Sequence, residues 1–258
     1  MSVAGRIFLV TGSTQGVGRE IALEAARQGA GGVLITGREP DGAKSVAAEV
    51  AALGAPAAIH VADLLDPIAP SAILSACLER FGRVDGLVNA AALTDRASFV
   101  DGDLEIWERL FQVNARAPFF LMQGAIADMR RRRAPGSIVN ILSTNTHCGA
   151  PDLAIYSAAK GALATLTKNA ANAHRFDRIR VNGINLGWTD TPGERQMQAV
   201  TLGHGEGWLE RAAATQPFGQ LFQVDDVARL VLFLLSDAAG PMTGALIDQE
   251  QWVPGSRS

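Results

Sequence analysis

Hydrophobic and polar positions along the chain follow two alternating periods. Short apolar runs of strand length recur at residues 7–10, 33–36, 57–61, 86–88, 137–142, 180–185 and 245–247. Longer stretches with helical spacing separate them, at residues 19–28, 43–53, 71–81, 104–132, 156–173 and 225–235. Strands that alternate with helices in this way indicate a parallel sheet covered on both faces. The pattern predicts an α/β fold: a doubly wound parallel sheet of about seven strands with helices on both faces.

One segment departs from this alternation. Residues 188–220 are mixed in composition and rich in Gly, Glu and Gln. They follow a predicted strand, and ligands bind at the carboxyl ends of the strands in doubly wound sheets. We therefore expect a single domain over residues 1–258, with an insertion near 188–220 that contributes to a ligand site. The alternative is a passive surface excursion.

Composition and charge narrow the class of protein. A chain of 258 residues with 48% hydrophobic and 19% charged residues can bury a large core, and its net charge of −3 predicts no nucleic-acid partner. No stretch approaches the roughly 18 apolar residues of a membrane span, and residues 1–6 do not resemble a signal peptide. Cys77 and Cys148 are too few for a disulfide framework, and no Cys/His cluster has metal-ligand spacing. We expect no membrane partner, no metal and a cytoplasmic location.

Three glycines connect the first predicted strand to the first predicted helix. They are Gly12, Gly16 and Gly18, within the segment Thr11-Gly12-Ser13-Thr14-Gln15-Gly16-Val17-Gly18. Glycines permit a tight turn, and a helix N-terminus offers unpaired N–H groups to a pyrophosphate. The spacing predicts a dinucleotide site; an ordinary glycine turn before a helix is the alternative.

Tyr156 and Lys160 are four residues apart on a predicted helix, with Ser143 upstream. Side chains at this spacing lie on one face, so an ammonium and a phenol share an environment. A nearby cation lowers the pKa of a phenol from its usual value near 10. With a serine hydroxyl to hold an oxygen in place, these groups could move a proton on and off that oxygen. A surface Tyr and Lys on an alanine-rich helix is the alternative.

Together, the Thr11-Gly12-x-x-x-Gly16-x-Gly18 pattern, Asn114, Ser143, Tyr156 and Lys160 resemble the short-chain dehydrogenase/reductase family. The resemblance covers about residues 5–248. It implies a Rossmann-like fold, an NAD(P)-dependent oxidoreductase that interconverts a secondary alcohol and a carbonyl, and a homotetramer.

The resemblance also implies the catalytic roles. Tyr156 would exchange the proton of the substrate oxygen, and Lys160 would lower the pKa of Tyr156 and hydrogen-bond the nicotinamide ribose. Ser143 would orient the substrate oxygen and stabilise its charge. Asn114 would hold a water in a proton relay through Lys160, although it could equally satisfy helix backbone.

Carried over position by position, the resemblance gives the expected cofactor contacts. Asp63 and Leu64 match the pair that meets the adenine, and residues 187–191 match the segment that cradles the nicotinamide amide, with Leu186 replacing the usual proline. The complete expected set is Gly12, Thr14, Gln15, Gly16, Val17, Gly18, Arg38, Asp63, Leu64, Asn89, Ala90, Ala91, Tyr156, Lys160, Gly187, Thr189 and Thr191.

The end of the second strand bears on the choice of cofactor. A carboxylate there binds the adenosine ribose hydroxyls and repels a 2′-phosphate. This chain has Gly37 at that position, followed by Arg38, whose guanidinium suits a phosphate. We expect NADP as the cofactor, with NAD as the alternative.

Polar side chains near the expected mouth of the site favour a polar, polyhydroxylated substrate such as a sugar or polyol. The expected substrate contacts are Arg96, Ser143, Asn145, His147, Tyr156 and Arg195. A 3-oxoacyl thioester or another ketone is the alternative substrate, and a non-catalytic dinucleotide sensor is a further possibility from another class. These polar residues could also be solvated loop residues.

Overall fold

The computed structural model describes residues 3–254. Its central sheet is entirely parallel, with the strand order β3-β2-β1-β4-β5-β6-β7. The strands are β1 (Ile7–Thr11), β2 (Gly32–Gly37), β3 (Ala57–Val61), β4 (Gly86–Asn89), β5 (Gly136–Ile141), β6 (Ile179–Leu186) and β7 (Leu246–Gln249). The prediction of a doubly wound, Rossmann-like α/β sheet of about seven strands is confirmed.

Helices connect successive strands across both faces of the sheet. Their bounds are α1 (Gly16–Arg27), α2 (Pro40–Ala52), α3 (Ala69–Phe81), α4 (Leu104–Phe111), α5 (Ala117–Arg132), α6 (Ala154–His174), α7 (Pro192–Gln196), α8 (Trp208–Ala214) and α9 (Val224–Leu235). Within residues 3–254, no helix combines the length and the apolar character needed to cross a membrane.

Alternating side chains of each strand enter two separate hydrophobic layers, because successive residues of a strand point to opposite faces. In β1, Val10 packs into the layer that contains Val231 of α9, whereas Leu9 packs into the layer that contains Leu121 of α5. All four side chains are almost fully buried. Since both faces are covered, the strands read as continuous apolar runs rather than as alternating ones.

The strand order reverses beside β1, which lies between β2 and β4. The connections that leave β1 and β4 therefore run to opposite sides, and a crevice opens at the carboxyl ends of these strands. In doubly wound sheets this is where ligands bind. The glycine turn at residues 12–18 leads from β1 into this crevice.

The helix predicted over residues 104–132 is two helices with a π-helical turn, Gln112–Arg116, between them. Pro118, in the first turn of α5, has no N–H to donate to the carbonyl four residues earlier, that of Asn114. The turn adds a residue to the helical path and leaves Asn114 fully buried. The prediction of one continuous helix is wrong because a turn of this kind leaves no break in the apolar spacing.

The insertion near 188–220 has structure of its own. It contains α7, a π-helical turn over Met197–Thr201, and α8. Trp208 packs with Leu221 and Trp188 in a small hydrophobic cluster separate from the two main layers, and the two indole rings lie 6.2 Å apart. The insertion therefore folds over the carboxyl end of the sheet on its own apolar support.

Candidate active site

A cavity of about 700 Å³ lies at the carboxyl ends of the strands. It extends from the glycine turn after β1 to the segment that follows β7. The predicted site residues that line it are Gly12, Thr14, Gln15, Gly16, Val17, Gly18, Arg38, Asp63, Leu64, Ala90, Ala91, Arg96, Ser143, Asn145, Tyr156, Lys160, Gly187, Thr189 and Thr191. Groups predicted from distant parts of the sequence thus meet in one place.

The glycine turn is too tight for side chains. Gly12 has φ +64°, and a Cβ placed on it would lie 2.8 Å from the Cα of Ala91. A Cβ on Gly18 would lie 2.4 Å from the carbonyl oxygen of Gly12. The hydroxyl of Thr11 accepts hydrogen bonds from the backbone N–H groups of Ala90 and Ala91, both at 3.1 Å, and so ties this turn to the end of β4. The backbone can therefore approach a ligand closely.

The N-terminus of α1 faces this turn without a competing acceptor. Gln15, which precedes the helix, makes no side-chain capping bond, and the first turn of α1 contains no acidic residue. The unpaired N–H groups and the positive end of the helix dipole suit a phosphate. The close-packed glycines and this uncapped helix end fit the pyrophosphate of a dinucleotide.

Arg38 follows β2 at the edge of the cavity and is exposed. Within the part of the chain that the structure describes, its guanidinium has no hydrogen bond or ion pair. A Cβ at Gly37 would lie 2.7 Å from Cγ2 of Thr14, so the position that could carry a ribose-binding acid is closed by a neighbouring side chain. In the described part of the chain, the end of β2 thus carries an unpaired cation at Arg38 and no acid at position 37, while the carboxylate of the next residue, Glu39, also lines the cavity.

Tyr156 is buried in the cavity wall and shares a hydrogen bond with Ser143. The pKa of Tyr156 is raised to about 12, mainly by burial, because the phenolate would lose its hydration. The hydrogen bond to Ser143 and the charge of Arg96 lower this pKa, whereas the charge of Glu194 raises it. Burial outweighs the other influences. At neutral pH Tyr156 is therefore a phenol that can donate its proton.

Lys160 lies beside Tyr156 and is almost fully buried. Its Nζ lies 5.8 Å from the centre of the Tyr156 ring and donates a 2.7 Å hydrogen bond to the carbonyl of Ile141. Burial also lowers the pKa of Lys160 to about 8. In this structure both pKa values depend mainly on burial, and the expected effect of Lys160 on the pKa of Tyr156 stays a prediction.

Asn114 holds the segment after β4 in place. Its Oδ1 accepts a hydrogen bond from the backbone N–H of Leu93 at 3.0 Å, and its Nδ2 donates to the carbonyl of Leu93 at 2.8 Å. The π-helical turn presents the amide at the right height for this two-point contact. A role for Asn114 in a water relay stays a prediction.

Three other predicted residues lie outside the cavity lining. Asn89 donates to Oδ1 of Asn140 on β5 at 2.8 Å and is buried between strands. The ring of His147 lies 2.8 Å from Asp248, and Arg195 forms two 2.7 Å hydrogen bonds to Asp190. Asn89, His147 and Arg195 therefore each bond to another protein side chain, through a tertiary contact or within the insertion, and none of the three lines the cavity.

Six polar side chains of the cavity that also contains Tyr156 are together called the polar wall; Leu93, Leu153, Trp188 and Trp252 are apolar members of the same lining. The members of the polar wall are Thr94, Arg96, Asn145, Asp152, Glu194 and Gln198. Sequence reasoning missed Asp152 and Gln198, and it also missed Trp188, Glu250 and Trp252, which line the cavity as well.

The start of α7 positions Glu194. The sequence Thr191-Pro-Gly-Glu194 carries a helix-start signal, and the hydroxyl of Thr191 does accept a hydrogen bond from the N–H of Glu194 at 3.1 Å.

Comparison with known proteins identifies the family. A family model described as "Enoyl-(Acyl carrier protein) reductase" matches residues 12–249. The chain is 33% identical to an L-rhamnose 1-dehydrogenase (NAD(P)(+)) of a Sphingomonas species, over 96% of this chain and 97% of that protein. It is 34% identical to a D-beta-hydroxybutyrate dehydrogenase of Rhizobium meliloti, over 94% of this chain and 96% of that protein.

A solved structure gives the same result. A protein of Beutenbergia cavernae with bound NADP at low occupancy, provisionally assigned as an NAD(P) dependent gluconate 5-dehydrogenase, superposes with a TM-score of 0.87 at 32% identity, over 97% of each chain. The chain belongs to the short-chain dehydrogenase/reductase family. It is an oxidoreductase that acts on CH–OH groups with a nicotinamide dinucleotide, as the resemblance predicted.

Proposed function

We propose that this enzyme interconverts a secondary alcohol and the corresponding carbonyl on a polar, polyhydroxylated substrate such as a sugar or polyol, with NADP as its preferred cofactor. The observation that carries the substrate class is the polar wall beside Tyr156. Sites that hydrogen-bond a substrate hydroxyl discriminate strongly against analogues that lack it, because the polar groups of the site are then left unpaired. A wall of this kind disfavours an acyl chain or a steroid.

The roles of the residues follow from their positions. When bound, the cofactor would supply the hydride as NADPH in reduction or accept it as NADP in oxidation. Tyr156 donates a proton to the carbonyl oxygen in reduction and takes it back in oxidation, and Ser143, which hydrogen-bonds Tyr156, orients that oxygen. Lys160 and the backbone after β6 hold the nicotinamide end of the cofactor, while Arg38 holds the adenosine end.

The named activities of the relatives support a polar secondary alcohol but differ in its structure. One relative is named for a sugar and another for a hydroxy acid. A turnover screen of purified protein against sugars, polyols, hydroxy acids and 3-oxoacyl thioesters, each with NADP and NAD, tests the proposal. We expect the highest kcat/KM with a sugar or polyol; a clear preference for the thioesters would overturn it.

The cofactor preference predicts the behaviour of Arg38→Asp. The change replaces a free cation beside the expected 2′-phosphate with an anion. A charge-assisted hydrogen bond is worth about 1.5–3 kcal/mol, so KM for NADP should rise roughly tenfold or more. KM for NAD is the internal control and should change far less. Equal changes for both cofactors, or a wild-type enzyme that prefers NAD, would contradict the assignment.

We also propose a homotetramer built on α4 and α5 together with the alanine-rich α6, the assembly that is usual in this family. Large apolar side chains remain exposed on α4 and α5: Trp107 at 45%, Phe119 at 40% and Phe120 at 46%. Trp107 stacks on Phe111 at 4.4 Å, which forms a flat aromatic surface. Two-fold symmetric contacts of such a surface would bury it.

Analytical ultracentrifugation tests the assembly. We expect a tetramer at micromolar concentration, with a dimer as the smaller closed form. Phe120→Glu should lower the oligomeric state, because a charge would be buried at the contact, whereas Phe218→Glu, at an exposed site on the insertion, should not. A monomer at micromolar concentration in the wild-type protein would refute the proposal.

A further inference from the structure

Glu194, in the first turn of α7, is held in a fixed position at the cavity. Its Oε1 accepts a 2.8 Å hydrogen bond from the indole Nε1 of Trp188 and a 2.7 Å hydrogen bond from Nε2 of Gln198. Gln198 is itself buried and is bonded through its Oε1 to the ring of His204 at 2.9 Å. Two donors on one oxygen fix the orientation of the carboxylate.

The second oxygen of Glu194 is available to a ligand. Within residues 3–254, Oε2 has no hydrogen-bond partner, and it is not among the buried polar atoms that lack one. The carboxylate is also close enough to Tyr156 for its charge to raise the pKa of the phenol. An accessible acceptor thus lies near the group that handles the reacting oxygen.

The charge of Arg96 opposes that of Glu194 at Tyr156, but Arg96 is itself paired with a carboxylate. Arg96 is the cation of the polar wall, and its Nε lies 3.2 Å from Oδ2 of Asp152. Glu250 adds a second carboxylate to the lining; a Cβ on Gly187 would lie 2.8 Å from both of its oxygens. The charged or ionisable groups that line this part of the cavity are Arg96, Asp152, Tyr156, Lys160, Glu194 and Glu250. Carboxylates outnumber cations here.

We propose that Glu194 is a specificity-determining residue, which accepts a hydrogen bond from a second hydroxyl of a neutral substrate and excludes substrates that carry a carboxylate at that place. This inference rests on the proposed function and narrows it from polyhydroxylated compounds in general to neutral sugars and polyols. A carboxylate that faces Oε2 would meet like charge and would find no donor. A hydroxyl there donates to a charged acceptor.

Glu194→Gln tests the idea with little change in shape. Trp188 and Gln198 both donate to position ε1, so the amide oxygen of the new side chain will take that place. The NH₂ group then points to where Oε2 was. The variant therefore turns the open acceptor into a donor and removes its charge, while the contacts behind it are kept.

D-Glucitol and D-gluconate form a matched pair of ligands, since they differ at one end in a hydroxymethyl group or a carboxylate. Their Kd values are measured by calorimetry on the protein with bound NADPH, which cannot accept a hydride from an alcohol, so that binding is observed without turnover. We expect the wild-type protein to bind D-glucitol at least tenfold more tightly than D-gluconate. In Glu194→Gln this preference should fall by a factor of about ten to a hundred.

Two further variants separate specificity from structure. Glu194→Asp keeps the charge and should still discriminate against D-gluconate, and Glu210→Gln, exposed on α8, should behave as wild type. The pH dependence of turnover with the best alcohol is a second measurement. The charge of Glu194 raises the pKa of Tyr156, so this pKa should fall in Glu194→Gln. The part of the pH profile that follows the ionisation of Tyr156 should therefore move to lower pH.

The outcomes distinguish this inference from the proposed function. An unchanged ratio of Kd values in Glu194→Gln, with the melting temperature of wild type, overturns the role of Glu194 even if sugars and polyols are turned over. If Glu194→Gln changes the ratio of Kd values as expected but the wild-type protein turns over thioesters best, the role of Glu194 is supported and the proposed substrate class is contradicted. Failure of D-glucitol to bind the wild-type protein overturns both.

Discussion

Tyr156→Phe is expected to lower kcat by about 10²–10⁴-fold, the usual contribution of a positioned general acid or base. The variant loses one hydroxyl and keeps the ring, which packs with Leu110 and Ile155. Because the phenol of Tyr156 is the group with a proton to give to the substrate oxygen, no neighbouring side chain replaces it. Steady-state turnover of the best alcohol, with NADP in excess, measures the effect.

The same variant should remain folded and should bind NADP as well as wild type does. The lost hydrogen bond to Ser143 is worth about 1 kcal/mol, so the change in the free energy of unfolding is small. Calorimetric binding of NADP and thermal unfolding provide the controls. Turnover within a few-fold of wild type in a correctly folded variant would show that the assignment of Tyr156 is wrong.

Lys160→Met is expected to lower kcat/KM roughly ten- to hundredfold, the value of a charge-assisted hydrogen bond to the cofactor. Met fills the volume of the buried side chain without its charge. KM for NADP should rise together with the loss of kcat, because the same side chain is assigned to the nicotinamide end. Unchanged kcat/KM would remove Lys160 from the site.

Lys160 also gives the stability of the protein a pH dependence that the variant should lose. The pKa of Lys160 is about 8 in the folded protein and about 10.5 in an unfolded chain. Between these values the unfolded chain binds more protons, so the free energy of unfolding rises with pH. We expect the wild-type protein to gain stability relative to Lys160→Met from pH 8 to about 9, below the pKa of about 10 of tyrosine in an unfolded chain. If the free energy of unfolding changed with pH in the same way in both proteins, the lowered pKa of buried Lys160 would be contradicted.

Most of the fold was predictable because it depends on local patterns. The runs at β1 and β2 are apolar on both faces, and their lengths and glycine boundaries indicate strands in a covered sheet. The bounds of the π-helical turn were not predictable from the apolar spacing, and the hydrogen bond from Leu93 to Asn114, far apart in the sequence, is seen only in the structure. Period alone cannot detect one added residue in a helix.

The residues of the candidate site also fall into those that the sequence predicted and those that only the structure reveals. Tyr156, Lys160 and Ser143 follow a spacing that belongs to the family, and they reach the cavity as expected. His147 and Arg195 have the right chemistry, but each one bonds to an aspartate of its own protein, which only the tertiary structure reveals. Glu250 and Trp252 were missed for the opposite reason: nothing near them signals that the end of the chain folds back over the cavity.

The π-helical turn sets the rotational phase between α4 and α5. Each residue of a helix turns the following side chains by about 100° around the axis. If one residue were removed from Gln112–Arg116, the backbone could close into an ordinary helix, but the side chains of α5, including Phe119 and Phe120, would rotate relative to Trp107 of α4. The extra residue therefore sets where the exposed aromatic side chains of α5 lie relative to those of α4, and it does so at the turn that holds the buried Asn114. Segments exchanged between relatives must keep the length of this turn.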